Sequence, residues 1–271
     1  MEQISVTTWE EFKERLDDLR QKHDESLGAL LYRGQESSCW PLRTTLDRRR
    51  ELMPFSDYYR IIHRVKPQIE SLTNSEWIIP EYPEVEQQSK GYDFFDLLWS
   101  GRSPGYAYMT YLRHHAFPSP LLDWSRSPFV AAFFAFNRAA DESGGKVSIF
   151  VFSEVPNRLS GNGIPFVKRM GPYVKTHRRH FLQHSEYTLC LMFQNEWHFE
   201  RYDKVFDDGR HQQGACWKFN IPAVERRKVM KELDTYNLNA LSLFGSEESM
   251  METLATREFC LGTEKFQPRF V

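Results

Sequence analysis

Cysteine is scarce in this chain, and no two cysteines lie close together. Cys39, Cys190, Cys216 and Cys260 are scattered among 271 residues without any C-x-x-C pair. Zinc knuckles and disulfide frameworks need cysteines at short, regular intervals, so neither is indicated. Four isolated thiols fit a reducing compartment.

Long apolar runs are missing as well. No early run is apolar enough for a signal peptide, and no run reaches the ~20 residues that a membrane helix requires. We therefore expect a soluble cytoplasmic protein with no membrane partner.

The chain also lacks an excess of positive charge. Its formal net charge of -2 argues against indiscriminate binding to nucleic acid, which usually needs a basic face. The balance leaves room for a local basic channel, although short basic runs are usually solvated helix faces. The candidates are two clusters, Arg43, Arg48, Arg49 and Arg50, and Lys175, His177, Arg178, Arg179 and His180.

Several signature motifs are absent. Ala140 stands where a P-loop ending in Gly145-Lys146 would need glycine, and neither a G-x-S-x-G elbow nor a G-x-G-x-x-G fingerprint occurs. His177, His180 and His184 have the spacing of metal ligands, but no flanking acid completes a standard set, so we predict no metal.

The most informative segment that is present covers residues 121–135, LLDWSRSPFVAAFFA. Apolar stretches flank the polar cluster of residues 123–127. A core segment gains nothing from Asp123, so this pattern predicts a strand-to-helix junction at the mouth of a cleft.

A second polar cluster is built in the same way. The strand-like run GALLY at 28–32 leads directly into Arg33, Gly34 and Gln35. The planar fork of a buried arginine suits phosphate or carboxylate oxygens. The alternative interpretation is that Arg33 only pairs with a structural acid such as Asp123. Gly34 would let a backbone or a ligand come close.

Three ordered blocks of the sequence resemble the FRG domain family. The first reads YRGQ at 32–35, SCWPL at 38–42 and TLDR at 45–48, and the second reads RHHAFPSPLLDWSRSP at 113–128. The third follows an Arg-x-x-x-Gln-x-Gly-x-Phe-Thr pattern, and its matching residues are Arg179, Gln183, Ser185, Tyr187 and Thr188. The resemblance runs from about residue 25 to 250. It departs from the family where Arg113 replaces Gln and where Ala116 and Ser185 replace Gly.

The FRG family is similar in motif order to ADP-ribosyltransferases, and this likeness implies NAD as the ligand. It implies that Arg33 grips the pyrophosphate or the nicotinamide ribose and that Trp124 stacks on a ring. The residues that it implies for NAD binding are Tyr32, Arg33, Gln35, His114, Asp123, Trp124, Ser125 and Ser127. For His114, a core histidine bonded to the backbone is the alternative.

The catalytic set implied by the resemblance is Arg33, Gln183 and Glu186. Cleaving the bond between nicotinamide and ribose builds oxocarbenium character, which a carboxylate near the ribose stabilises. Glu186 stands at the start of a predicted strand, YTLCLMF at 187–193. Gln183 and a more distant acid such as Glu247 remain alternatives to Glu186 as the third group, and Glu186 is otherwise an ordinary surface acid.

The pattern predicts the α+β class, and the resemblance implies an ADP-ribosyltransferase-like mixed, split sheet with helical embellishments. We expect one domain over 1–271, with a helical segment at 1–24 and a helical insert at about 55–115. Helices are predicted after Thr8 and at 56–72, 92–115, 223–233 and 246–257, and a further helix is predicted to begin at Pro128 and to be ended by Gly144-Gly145. Strands are predicted at 28–32, 147–152, 187–193 and 215–221, and loops at 74–90 and around 161–165, where the second loop would cover a ligand.

The resemblance implies an NAD-dependent mono-ADP-ribosyltransferase that acts on a macromolecule as a toxin or antiviral effector, restrained by an antitoxin. RNA, DNA and protein are the acceptors considered, and RNA is slightly favoured because of the basic clusters. One alternative is a non-catalytic nucleotide-sensing module. Another is an interaction domain whose polar blocks form a buried structural network.

Overall fold

The computed structural model describes seven stretches of the chain, and together they form a mixed α+β structure. These stretches are residues 1–23, 29–49, 53–99, 103–139, 144–154, 163–207 and 214–262. Their strands form one open, mixed sheet. The strands are β1 (Glu2–Ser5), β2 (Leu31–Gln35), β3 (Met53–Pro54), β4 (Leu122–Ser125), β5 (Lys146–Glu154), β6 (Phe166–Arg169), β7 (Ser185–Gln194), β8 (Glu196–Phe199) and β9 (Gly214–Pro222).

The order of the strands divides the sheet into two halves. The order is β1-β9-β5-β2-β4-β7-β8-β3, with β6 paired to β7. All pairs are antiparallel except β1 with β9. Strand β2 matches β5 over five residues, and β4 matches β7 over four. The described parts of β2 and β4 share the single register pair Tyr32↔Ser125. The two halves are therefore joined through this one described pair.

Helices cover both halves of the sheet. Most of the predicted helical insert is helical, although residues 100–102 lie outside the described residues. The helices are α1 (Trp9–Lys22), α2 (Phe55–Thr73), α3 (Tyr82–Ser89), α4 (Phe94–Trp99), α5 (Tyr106–His114), α6 (Pro128–Phe136), α7 (Arg179–Leu182), α8 (Tyr202–Asp207), α9 (Arg226–Thr235), α10 (Ala240–Phe244) and α11 (Glu247–Ala255). A π-helical turn at Thr256–Leu261 follows α11. None of the described helices has the length and apolar character needed to cross a membrane.

Helix α6 packs directly on β2 because the facing residues, Gly34 on the strand and Ala131 and Ala135 on the helix, are small. Its sequence PFVAAFFAF presents alanines toward the strand, and Ser127 caps its first turn by accepting a hydrogen bond from the amide of Val130. A Cβ atom on Gly34 would lie 1.9 Å from the carbonyl oxygen of Ala131. Gly34 therefore serves close packing of helix on strand.

Most of the predicted elements are confirmed, including the strand-to-helix junction at β4 and α6. Thr8 caps α1 as expected. The predicted strand at 28–32 is misplaced, since β2 runs from Leu31 to Gln35 and contains Arg33 rather than preceding it. The predicted loop at 74–90 contains α3. The glycines expected to end α6 lie well beyond its last residue, Phe136, and part of the predicted ligand-covering loop is outside the described residues.

Candidate functional site

A cleft of about 360 Å³ opens at the sheet centre, where the first two sequence blocks meet. Strand β2 supplies the first block and β4 the second, while the segment that joins α7 to β7 supplies the third. All three predicted blocks therefore meet in one place. The lining residues are Tyr32, Arg33, Gly34, Gln35, Glu36, Trp40, Arg48, Arg113, His114, Asp123, Trp124, Ser125, Ala131, Phe134, Arg179, Gln183, Ser185, Tyr187 and Phe244.

Asp123 organises the charged floor of the cleft. Arg113 binds it with both arms of its guanidinium, with Nε 3.0 Å from Oδ1 and Nη2 2.6 Å from Oδ2. Arg33 approaches from the other side and donates Nη1 to the backbone carbonyl of Asp123 at 2.7 Å, with its charge 4.0 Å from the carboxylate. Asp123 is 39% exposed, so this acid is open to the cleft. The structural pairing that was the alternative for Arg33 is thus present in part.

Arg33 retains unused hydrogen-bonding capacity although its side chain is only 16% exposed. Its Nε atom is buried and has no partner among the described residues. Burial lowers the pKa of Arg33 to about 10, against the opposing attraction of Asp123. The guanidinium is therefore still charged at neutral pH. Nearby, the buried Oε1 atom of Gln35 is also unpartnered, while its Nε2 donates to the carbonyl of Pro41 at 3.4 Å.

Two further arginines reach the cleft from the two basic clusters. Arg48 is exposed and comes from the first cluster, and Arg179 comes from the second. The guanidinium of Arg179 lies 5.4 Å from the ring centre of Phe244, and its buried Nε has no partner in the described part of the chain. Four arginines thus line a cleft that holds two acids, Asp123 and Glu36.

The aromatic side chains open to the cleft differ from the one predicted. Trp124 borders the cleft, but its side chain is only 2% exposed and its indole N–H donates to Thr188 at 2.9 Å, so the ring predicted to stack on a ligand is packed in the core. Trp40 lines the cleft and is 47% exposed. Phe134 and Phe244 line it as half-buried rings. These three rings can contact a planar group.

Glu186 does not face the cleft, so the structure does not bring it together with Arg33 and Gln183, the other two residues of the predicted catalytic set. Side chains alternate along a strand, and β7 directs Ser185 and Tyr187 to the cleft. Glu186 therefore lies on the other face, where it is fully buried. There it accepts hydrogen bonds from Arg126 at 2.8 Å and from both Nε and Nη2 of Arg169.

The predicted hydroxyls mainly stabilise the junction of β4 and α6. Ser125 donates its hydroxyl to the carbonyl of Gln183 at 2.7 Å and accepts the amide of Ser127 at 3.0 Å. Ser127 caps α6 and is not among the cleft residues, so the structure does not support its predicted ligand contact. The side chain of Gln183 lines the cleft and donates to the carbonyl of Leu243 at 3.2 Å.

His114 lines the cleft and is the first member of a hydrogen-bonded chain that continues into the interior. Its Nε2 is 2.7 Å from the hydroxyl of Tyr187, which is 3.3 Å from Nδ1 of His180. Burial lowers the pKa of His114 to about 4, despite the attraction of Asp123. Tyr32 also borders the cleft, with its ring buried beneath α6 and its hydroxyl bound by Arg20.

The arginines and aromatic residues that line the cleft are mostly absent from the predicted set of ligand contacts. Trp40, Arg48, Arg113 and Arg179 all stand inside the three blocks, so position within a block was the available signal. Phe134 follows the second block on α6, and Phe244 lies far along the chain, where no local pattern marks it. His177, His180 and His184 do not share a helix face, because α7 spans only Arg179–Leu182. No metal-binding group is found among the described residues.

Comparison with protein families agrees with the first two blocks. The model of the FRG domain matches residues 28–144. No curated protein and no solved structure gives a significant match. The matched range contains β2, β4 and α6, and thus most of the cleft floor, whereas the third block lies beyond it. Residues 28–144 of the chain are therefore similar to the FRG domain.

Proposed function

We propose that the cleft binds an anionic nucleotide, with NAD as the first candidate, and that the protein is an NAD-dependent mono-ADP-ribosyltransferase. The observation that carries the binding proposal is the convergence of Arg33, Arg48, Arg113 and Arg179 on one concave site. A guanidinium group binds phosphate oxygens with paired, directional hydrogen bonds. The cleft has more positive than negative side chains, although the chain as a whole is slightly acidic.

The residues present fit such a ligand. Arg33, Arg179 and Gln35 line the cleft and have hydrogen-bonding capacity that the described residues do not use, since Nε of each arginine and Oε1 of Gln35 are buried without a partner among those residues. Trp40 and Phe244 offer ring faces for a base. A diphosphate with an attached ring thus matches both the charge and the apolar parts of the lining.

The proposed reaction needs a group that stabilises positive charge on the ribose as nicotinamide leaves. Because Glu186 is buried on the other face of β7, we assign this role to Asp123, the partly exposed acid of the cleft floor. Gln183 lines the same cleft and would position the ribose or the acceptor. Donation from Arg113 keeps Asp123 in place.

The wider role proposed here rests on the resemblance. The protein would be a cytoplasmic toxin or antiviral effector with an ADP-ribosyltransferase-like fold, restrained by an antitoxin partner. Its acceptor would be a nucleic acid, with RNA ahead of DNA and protein. Arg48 and Arg179 support this choice, because they join the cleft to the two basic clusters and would guide a polyanion toward it.

A second candidate function is a nucleotide-sensing module without catalysis. One observation favours it: both acids near the sheet centre are held by arginines, Glu186 by Arg126 and Arg169, and Asp123 by Arg113. A carboxylate engaged in this way stabilises a developing cation less than a free one does. Such a module would bind NAD without consuming it.

The experiment is incubation of the protein with NAD labelled in its adenylate part, together with total cell extract that is then separated into protein, RNA and DNA. Arg33→Met removes the central charge, and Arg60→Met, which removes an exposed pair with Asp57, is the matched control. Label in one fraction that disappears with Arg33→Met and persists with Arg60→Met supports the transferase. NAD binding without any loss of NAD supports the sensing module, and no binding by any variant contradicts both.

A further inference from the structure

In the hydrogen-bonded chain behind the cleft, the bond at the buried end determines which atom donates and which accepts in each of the other bonds. The chain runs from Nε2 of His114 to the hydroxyl of Tyr187, then to Nδ1 of His180, and from Nε2 of His180 to the carbonyl of Pro172 at 2.8 Å. A backbone carbonyl only accepts hydrogen bonds. Nε2 of His180 must therefore carry a proton.

The remaining protons follow from the charge of His180. This ring is buried, its exposed fraction being 2%, and burial lowers its pKa. The hydrogen bond to Pro172 and the negative charge of Glu186 raise the pKa of His180, and the positive charge of Arg126 lowers it. A neutral His180 with its proton on Nε2 has a lone pair on Nδ1. The hydroxyl of Tyr187 then donates to His180, and its oxygen accepts from Nε2 of His114.

We infer that His114 is held with its proton on Nε2 and presents the lone pair of Nδ1 as a hydrogen-bond acceptor for a ligand in the cleft. In the described part of the chain, Nδ1 of His114 has no hydrogen-bond partner. It is not one of the buried atoms that lack a partner, so it is accessible to a ligand. His114 lines the cleft together with Arg33, Asp123 and Tyr187. The arginines recognise phosphate, whereas this acceptor recognises an O–H or N–H group.

This inference deepens the proposed function, because it assigns His114 to a donor group of the nucleotide, such as a ribose hydroxyl. It makes Tyr187 and His180 positioning residues, which act on the ligand only through His114. A cleft with phosphate donors and one fixed acceptor would favour nucleotides over inorganic phosphate or pyrophosphate.

Nitrogen-15 NMR of the histidine rings tests the tautomer on the free protein at pH 7. The His114 signals are assigned by their loss in His114→Gln. We expect a neutral ring that is protonated at Nε2. In Tyr187→Phe, which keeps the ring but removes the hydroxyl, we expect signals of both tautomers. A wild-type ring protonated at Nδ1, or at both nitrogens, overturns the inference.

Titration with NAD tests the acceptor role. His114→Gln places an amide nitrogen near the position of Nε2 but offers no acceptor at Nδ1, and we expect NAD to bind about tenfold more weakly. His114→Asn places an amide oxygen near the position of Nδ1, and we expect it to bind more tightly than the Gln variant. Equal affinity of wild type and both variants overturns the acceptor role.

The same measurements separate this inference from the proposed function. If the Nε2-protonated tautomer is observed but wild-type protein does not bind NAD, the proposed NAD site fails. The acceptor role is then decided by binding of adenosine 5′-diphosphate, compared with pyrophosphate, to wild type and His114→Gln. Equal weakening of both ligands overturns the acceptor role, and weakening of the nucleoside diphosphate alone supports it.

Discussion

Two clusters of arginine and carboxylate lie on opposite faces of β7, and they differ in what they leave unused. Glu186 is fully buried and is held by Arg126 and Arg169. Asp123 is 39% exposed and is held by Arg113, with Arg33 beside it. Both clusters use the same chemical groups. In the first cluster the carboxylate is fully buried and both of its oxygens accept from arginines, although Arg126 itself is 40% exposed, whereas the second leaves the carboxylate partly exposed and buried donor capacity on Arg33.

This difference shows that an acid near an arginine marks a ligand site only when the geometry leaves part of the cluster open. A closed buried pair needs its own partners to remain in the interior, and removing one of them leaves an uncompensated charge. An open pair can exchange a contact for a ligand. The predictions below test this distinction, from the largest expected effect to the smallest.

The largest effect is expected from Glu186→Gln in the closed cluster. Removing the charge leaves Arg169, which is 14% exposed, without its counter-ion. We expect the free energy of unfolding to fall by about 3 kcal/mol, measured by urea denaturation. Glu81→Gln, which alters an exposed pair with His63, should change it by less than about 0.5 kcal/mol. Similar small effects of both substitutions would show that the Glu186 cluster is not a closed one.

Arg33→Met is the matched change in the open cluster. Methionine keeps much of the apolar stem and removes the guanidinium, so we expect NAD affinity to fall about 100-fold, which corresponds to about 2.7 kcal/mol. Isothermal titration calorimetry measures this change. Arg126→Met in the closed cluster should lower stability but leave the affinity of the folded protein within about twofold. The reverse ranking would place the ligand site on the other face of β7.

The third prediction is that His114, which lines the cleft beside Asp123, makes the free energy of unfolding depend on pH. The pKa of His114 is lowered from its ordinary value of 6.5 to about 4, mainly by burial. The unfolded chain therefore binds a proton at a higher pH than the folded protein. The contribution of His114 is full above pH 6.5 and is lost as the pH falls toward 4.

We expect this loss to be about 2 kcal/mol after discounting for partial exposure, measured by urea denaturation between pH 7 and pH 4. His114→Gln should remove this part of the pH dependence, and His63→Gln, outside the cleft, should retain it. Identical pH profiles for wild type and His114→Gln would contradict the assignment.

The smallest expected effect is at the aromatic edge of the cleft. Trp40 is 47% exposed, so its contact with a base would be partly solvated. We expect Trp40→Ala to weaken NAD binding about fivefold, or about 1 kcal/mol, with unchanged stability. Tyr173→Ala removes another exposed ring that does not line the cleft and serves as the control. Fluorescence titration measures both, and equal effects would remove Trp40 from the site.

The sequence predicted the location of the cleft better than the roles of the side chains. The polar clusters at Arg33 and Asp123 are recognisable from the sequence, because a charged side chain at the end of an apolar run adds no stability to a buried core. Glu186 is predicted at the site but lies on the other face of β7, because the two-residue period of a strand separates it from Ser185 and Tyr187. Choosing the cleft face of β7 required its register with β4, which pairs Asp123 with Tyr187.

Other errors came from partners that lie far away in sequence. Trp124 was expected at a ligand, but Thr188 satisfies its indole N–H in the core. Phe244 reaches the cleft from α10 through tertiary packing, and no local pattern contains that information. Arg113 was noted only as a departure from the family pattern, whereas in the structure it is the main partner of Asp123.

The most direct test of the central claim is a crystal structure of the protein with ADP-ribose, the part of NAD that carries the phosphates. The account predicts the diphosphate in the cleft, with oxygens within about 3 Å of nitrogens of Arg33 and of Arg48 or Arg179. It also predicts the Glu186 cluster unchanged. Ordered ADP-ribose bound elsewhere, or an empty cleft at a saturating concentration, would contradict the claim that the arginines of the open cluster form a nucleotide site.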